Sequence, residues 1–268
     1  IPETTPHHDG AGVIDAVGPG VDLGRVGERV WLYMAAAGRP TGTAAEFGVV
    51  PADRAVPLPD TVGFDAGACL GVPALPAPRA LTGAEDSPRR LRPRALDGAG
   101  VLAAGGAGAV GHAVIQLARW AGATVVSTVS GPAKAALATA AGAHHVVDYR
   151  AGDPADAIRA VAPDGVDIVA EVALGANLGL DLAVLRARGH EVACSHEVSP
   201  ECREYERIVT TTADAALRAV CSPYLGSLAP LAADVLVMTS AGGLVPVTEA
   251  AAHPARLRRR RGRRRRGW

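Results

Sequence analysis

Gly106, Gly108 and Gly111 stand in the spacing G-x-G-x-x-G between a short apolar run at residues 101–104 and a stretch with apolar residues at helical spacing. Each glycine has a physical task. The first permits a tight strand-to-helix turn, the second lets backbone N–H groups approach a pyrophosphate, and the third lets the helix lie close to the strand. Phosphates would then sit at the positive end of the helix dipole. A helix is expected from about residue 109 to 121, with Val110, Val114, Ile115, Leu117 and Ala118 on its apolar face and Gly122 as its stop. Residues 124–129, Thr-Val-Val-Ser-Thr-Val, then read as a second, β-branched strand. A glycine turn alone could arise by chance among 32 glycines; the strand, helix and strand around it make it the first βαβ unit of a dinucleotide-binding fold.

The far end of such a site discriminates between cofactors. An NAD-preferring site carries an acidic residue about 20 positions past the glycines, on the ribose 2′-hydroxyl. Here no acidic residue occurs from His112 to Val147. The second strand instead leads to Ser130 and Lys134, the latter being the one lysine among 27 basic residues. A hydroxyl and a compact ammonium suit a 2′-phosphate, so NADPH is favoured over NADH.

The elements that must position these residues fit easily into 268 residues with 49% hydrophobic composition. The sequence contains no apolar run of bilayer length and no leader pattern, so a cytoplasmic protein without a membrane partner is expected. Cys69, Cys194, Cys202 and Cys221 lack paired spacing and read as buried or incidental thiols. The zero formal net charge hides an asymmetry: nine arginines lie within residues 256–268, leaving 18 basic against 27 acidic residues before them. Three accounts of this ending compete: a nucleic-acid-binding tail, a plain charged terminus, and an out-of-frame translation of a GC-rich gene. The third is preferred, and nucleic acid is not an expected partner of the remaining chain.

Ordered blocks around the βαβ unit resemble the zinc-independent quinone oxidoreductase (ζ-crystallin-like) branch of the medium-chain dehydrogenase/reductases. They are His8-Asp9-Gly10-Ala11-Gly12-Val13, Gly27-Glu28-Arg29-Val30, Gly42-Thr43-Ala44-Ala45-Glu46-Phe47, Gly71-Val72-Pro73 with Arg79-Ala80-Leu81, the glycine turn, residues 142–150, and residues 165–171. The resemblance runs over about residues 6–193. It implies an α/β fold: a partial GroES-like β-barrel domain (residues 1–70), then a doubly wound Rossmann domain (71–250), then the arginine-rich tail (251–268). It places Gly105, Gly106, Gly108, Ala109, Val110 and Gly111 at the pyrophosphate, Ser130 and Lys134 at the 2′-phosphate, and Tyr149 with Arg150 at the adenosine end. A homodimer is also a family expectation.

Zinc dehydrogenases of the superfamily carry a histidine where His8 stands, but their second-domain cysteine ligand falls at about Val72, and valine cannot coordinate. No metal is expected, and His8 is read as a satisfied strand-end histidine. The implied chemistry is hydride transfer from NADPH to a quinone or another activated carbonyl acceptor, with no residue named as acid or base. Two other readings stand beside it: reduction of the activated double bond of an enal or enoyl thioester, and a non-catalytic NADPH-binding or RNA-associated protein. Three departures from the family pattern stand out. The sequence opens inside the catalytic domain, so that barrel edges would be unpaired. Pro76 and Pro78 interrupt the helix linking the two domains. The likeness fades after Cys194.

Overall fold

The computed structural model describes residues 3–83 and 87–194. Alternating and β-branched residues near the start form three short strands, β1 (Gly10–Val13), β2 (Arg29–Leu32) and β3 (Ala55–Pro57), joined in an antiparallel sheet in that order. Gly10 lies opposite Leu32, and Val30 opposite Pro57. Val30 and Trp31 at the centre of β2 are both buried, Trp31 wholly so. The Arg25 guanidinium binds the carbonyls of Ala52 and Ala55 and the carboxylate of Glu28, tying the turn before β2 to β3. Residues 43–50 form no strand, and Phe47 and Val49 are 75% and 79% exposed.

A short helix α1 (Phe64–Gly67) and a helix α2 (Pro76–Leu81) lead into the second half. There the prolines meet no conflict. Pro76 occupies the first helical position and Pro78 the third, where backbone N–H groups have no intrahelical acceptor, so neither removes a helical hydrogen bond. The expected interruption of this helix is corrected: it starts at the prolines, and Ala77, Ala80 and Leu81 are fully buried.

Beyond it, β4 (Gly100–Ala103), β5 (Thr124–Val129), β6 (His145–Asp148), β7 (Val166–Glu171) and β8 (Leu185–Ala193) make a parallel sheet in the order β6-β5-β4-β7-β8. The crossovers are α3 (Ala109–Trp120), α4 (Pro132–Ala140), α5 (Pro154–Val161) and α6 (Leu174–Val184). The chain winds outward from β4 to β6 and then returns to the other side of β4. The strand order therefore reverses between β4 and β7, where open α/β sheets place their ligands. α3 begins where the sequence places it and ends one residue earlier; Gly122, with φ +92°, closes it.

One core cluster runs from Trp31 and Leu58 of the first sheet through Leu75 and Leu81 to Val101, Val114 and Val125 of the second. A smaller one, Leu102, Val126, Ile158, Val169 and Val184, fills the opposite face of the parallel sheet beneath α5 and α6. No helix among the described residues is long and apolar enough to cross a membrane.

Candidate functional site

The glycine turn leaves β4 at its carboxyl end and enters α3. Gly105 has φ +61°, a conformation that favours glycine, and Gly106 is buried. A Cβ at Gly106 would stand 1.9 Å from Ser127 Oγ and 2.7 Å from Ile115 Cδ1; one at Gly111 would stand 2.6 Å from the Ala104 carbonyl oxygen. These are the close approaches of backbone to strand and of helix to strand expected from the spacing. Gly108 is the N-cap of α3 and supplies no side-chain cap, so the first-turn N–H groups around Ala109, Val110 and Gly111 face outward for an anion.

Two hydroxyls of β5 hold this turn in place, and the sequence reading passed over both. Gly105 N donates to Thr128 Oγ1 at 3.2 Å and Gly106 N to the Thr128 carbonyl at 3.0 Å, while Ser127 Oγ donates to the Ala103 carbonyl at 2.9 Å. The available signal was two adjacent hydroxyl residues near the carboxyl end of a strand that, past exposed Thr124, is buried on both faces.

At the carboxyl ends of β5 and β6 the other expected residues come together. Lys134 Nζ, in the first turn of α4, donates to Ser130 Oγ just ahead of that helix at 2.9 Å. Gly131, the N-cap of α4, brings no side-chain cap, so a second open helix terminus lies beside the pair. Tyr149 N donates to the Val129 carbonyl at 3.1 Å, which seats Tyr149 next to Ser130 with its side chain 46% exposed. Arg150 follows, exposed, its N–H on Asp148 Oδ1. Ser130, Lys134, Tyr149 and Arg150 thus share one edge of the sheet, and the glycine turn lies one strand inward.

Where zinc dehydrogenases of the superfamily carry ligands, this chain has His8 and Val72. His8 is exposed two residues ahead of β1, which corrects its reading as a satisfied strand-end histidine. Val72 meets Asp9 through its backbone, Val72 N donating to Asp9 Oδ2 at 3.0 Å. Burial pushes the Asp9 carboxyl above its usual range, against the opposing effect of that hydrogen bond. Among the described residues no group of three or more His, Cys, Asp or Glu side chains could hold a metal ion. Cys69 and Cys194 are free thiols, and burial, reinforced by the Glu171 charge, pushes Cys194 up to about 12. Cys202 and Cys221, the fading of the likeness after Cys194, and the arginine-rich tail lie outside the described residues.

A parallel sheet with its strand order reversed at a glycine turn, and an antiparallel sheet packed ahead of it, define the class: a two-part dinucleotide-fold protein of dehydrogenase type. Comparison with known proteins agrees. Residues 1–60 match the family "Alcohol dehydrogenase GroES-like domain" and residues 109–214 the family "Zinc-binding dehydrogenase". The quinone oxidoreductase of Rattus norvegicus is 35% identical over 201 residues, 73% of this chain and 57% of the relative. Among solved structures, CurK enoyl reductase superposes with a TM-score of 0.73 at 25% identity, over 91% of this chain and 70% of the other. Mycobacterial Rv1454c complexed with NADPH gives 0.71 at 25%, over 89% and 72%. The chain belongs to the medium-chain dehydrogenase/reductase family. It spans just over half the length of the curated relatives it matches.

Proposed function

We propose that this chain is an NADPH-dependent, zinc-independent reductase that delivers hydride to a quinone or another activated carbonyl acceptor. The observation that carries the reading is the Ser130–Lys134 pair at the open terminus of α4. It sits where an NAD site would present a carboxylate, and no acidic residue occurs from His112 to Val147. When bound, NADPH supplies the hydride. The chain's own contribution is placement. The uncapped first turn of α3 takes the pyrophosphate, and Gly106 and Gly111 keep the backbone close enough to reach it. Ser127 and Thr128 fix that turn from β5. Lys134 neutralises the 2′-phosphate, Ser130 donates to it, and Tyr149 with Arg150 flanks the adenosine.

A quinone accepts hydride without a Lewis acid because the developing charge spreads over its ring and oxygens, and water can provide the proton. A second reading, reduction of an activated double bond, is supported by the likeness to CurK enoyl reductase. The proposal further takes residues 1–70 as the catalytic half and 71–250 as the nucleotide half, and includes a homodimer in the cytoplasm.

Fluorescence titration of the 268-residue chain with NADPH and NADH side by side tests the cofactor assignment. Saturable binding with NADPH tighter by about tenfold, near 1.4 kcal/mol, is expected. Absence of binding to both would remove the reading. Turnover of a simple quinone against an enoyl thioester then separates the two acceptor classes.

A further inference from the structure

Ser127 and Thr128 each bring a hydroxyl to the glycine turn, and they use it differently. Ser127 Oγ gives its proton to the Ala103 carbonyl at 2.9 Å, so its donor is spent inside the fold. Thr128 Oγ1 instead accepts, from Gly105 N at 3.2 Å. A hydroxyl has one proton and two lone pairs, so this bond leaves the Thr128 donor unspent. Among the described residues no acceptor stands within hydrogen-bond reach of it. Thr128 is only 5% exposed. A hydroxyl so buried ordinarily finds an acceptor, because leaving the bond unmade costs free energy that water cannot restore.

The strand register places this donor. β4 pairs with β5 from Gly100 opposite Thr124 to Ala103 opposite Ser127, and there the pairing stops. Thr128 is therefore the first residue of β5 to stand beyond the end of β4. On that side it meets the glycine turn: Gly105 N donates to its hydroxyl and Gly106 N to its carbonyl. On its other side it pairs with Val147 of β6, two residues ahead of Tyr149. Val172, exposed at the turn from β7 into α6, adds an apolar flank, its Cγ2 lying 3.6 Å from where a Cβ of Gly105 would stand. Glu171 Oε1 holds that turn by accepting from Val172 N at 2.7 Å and Asn177 Nδ2 at 3.1 Å. Side chains alternate along a strand, so Thr128 faces away from Ser127 and shares its parity with Ser130, about 7 Å further along the chain.

The covalent structure of the expected ligand says which of its atoms would meet Thr128. In NADPH the extra phosphate is on C2′ of the adenosine ribose, and the pyrophosphate is reached through C4′ and C5′. C3′ lies between them. With the 2′-phosphate at Ser130 and Lys134 and the pyrophosphate at the first turn of α3, the 3′-oxygen falls between the two anion sites, where Gly105 and Thr128 stand.

We propose that Thr128 binds the nucleotide directly, its hydroxyl donating to the 3′-oxygen of the adenosine ribose. The assignment rests on the NADPH reading for its ligand. Gly105 N, Thr128 Oγ1 and the 3′-oxygen then form a chain of hydrogen bonds, and accepting the first strengthens the hydroxyl as donor of the second. Ser130 reads the 2′ position and Thr128 the 3′ position, from one strand.

The test is a double cycle of protein and ligand, read by fluorescence titration of the full chain. The ligands are NADPH and its 3′-deoxy form, which lacks only the adenosine 3′-oxygen; the proteins are wild type, Thr128→Ser and Thr128→Val. In the wild type, and in Thr128→Ser, which keeps the hydroxyl, removing the 3′-oxygen should raise Kd about tenfold. In Thr128→Val, which keeps the shape without the donor, the two ligands should bind alike. A Thr128 that only braces the glycine turn would weaken both ligands equally when replaced by valine and leave their ratio as in the wild type; that result would overturn the assignment. NADH carries the same 3′-oxygen, so Thr128→Val should weaken NADH and NADPH by one factor. A loss confined to NADPH would place the hydroxyl at the 2′-phosphate and refute the 3′ contact. Should Thr128→Val not fold, the wild type decides alone. Its Thr128 hydroxyl proton must give a slowly exchanging NMR signal with NADPH and lose it with the 3′-deoxy form, and a signal indifferent to the 3′-oxygen sinks the proposal. A chain that binds neither ligand removes the cofactor reading and the assignment together, whereas a wild type that binds both with one affinity removes the assignment alone.

Discussion

At the scale of single residues, the proposed cofactor preference rests on Lys134. It is exposed and held 2.9 Å from Ser130 Oγ, so its charge is available to a ligand at little desolvation cost. Lys134→Ala should weaken NADPH by about tenfold, near 1.4 kcal/mol, and leave NADH almost unchanged in paired fluorescence titrations. Equal losses for both cofactors would remove the 2′-phosphate role. Gly106 makes the complementary steric case. Its missing Cβ is what keeps Ser127 Oγ and Ile115 Cδ1 in place, so Gly106→Ala should cost about 1–3 kcal/mol by overpacking. The cost should shrink in Gly106→Ala/Ser127→Ala, where the nearest clashing atom is gone; additive losses in chemical unfolding would contradict the geometry. These residues were legible because spacing and charge type announce them. Thr128 was not legible. A threonine in a β-branched run reads as strand propensity until the register shows β4 ending opposite Ser127, and that register does not follow from local pattern.

Elements were legible where local pattern and tertiary demand coincide. The run at 124–129 becomes β5 with those bounds because a central parallel strand buried on both faces wants β-branched residues throughout. α3 follows its apolar spacing and stops at a glycine. The linking helix was misjudged because proline counts against a helix interior but not against a first turn, and the start of α2 depends on the preceding turn at residues 71–75. α5 shows the same logic at its start: Asp153 Oδ1 accepts from Ala155 N at 2.8 Å, and Pro154 occupies the first position. Asp153→Ala should therefore destabilise by about 1 kcal/mol through loss of the cap. Asp153→Asn, which retains the acceptor, should recover most of it in urea denaturation. A loss of the same size in both variants would mean that charge at the helix terminus, not the hydrogen bond, sustains α5.

The molecule as a whole depends on how firmly its two sheets are joined, and the joint is concentrated at Gly71, Val72 and Asp9. Asp9 precedes β1, and its carboxyl is buried against the segment that begins the second half. Oδ2 accepts from Val72 N, Thr43 Oγ1 donates to the Asp9 carbonyl, and a Cβ at Gly71 would stand 2.1 Å from Oδ1. Close by, the shared core passes from Trp31 and Leu58 to Leu75 and Val101, so strut and core should unfold together in the wild type. Gly71→Ala drives a methyl group into the carboxylate and forces it from Val72. The expected cost, about 1–3 kcal/mol, falls at the junction and not within either sheet. Two tryptophans report the halves separately: Trp31, wholly buried in the first sheet, and Trp120 at the end of α3. With Trp268 replaced by phenylalanine and one reporter kept at a time, wild-type Trp31 and Trp120 should melt with a common midpoint. In Gly71→Ala the Trp31 transition should move several degrees below that of Trp120. Midpoints that fall together would show that the apolar core, and not the Asp9 strut, couples the GroES-like sheet to the nucleotide fold.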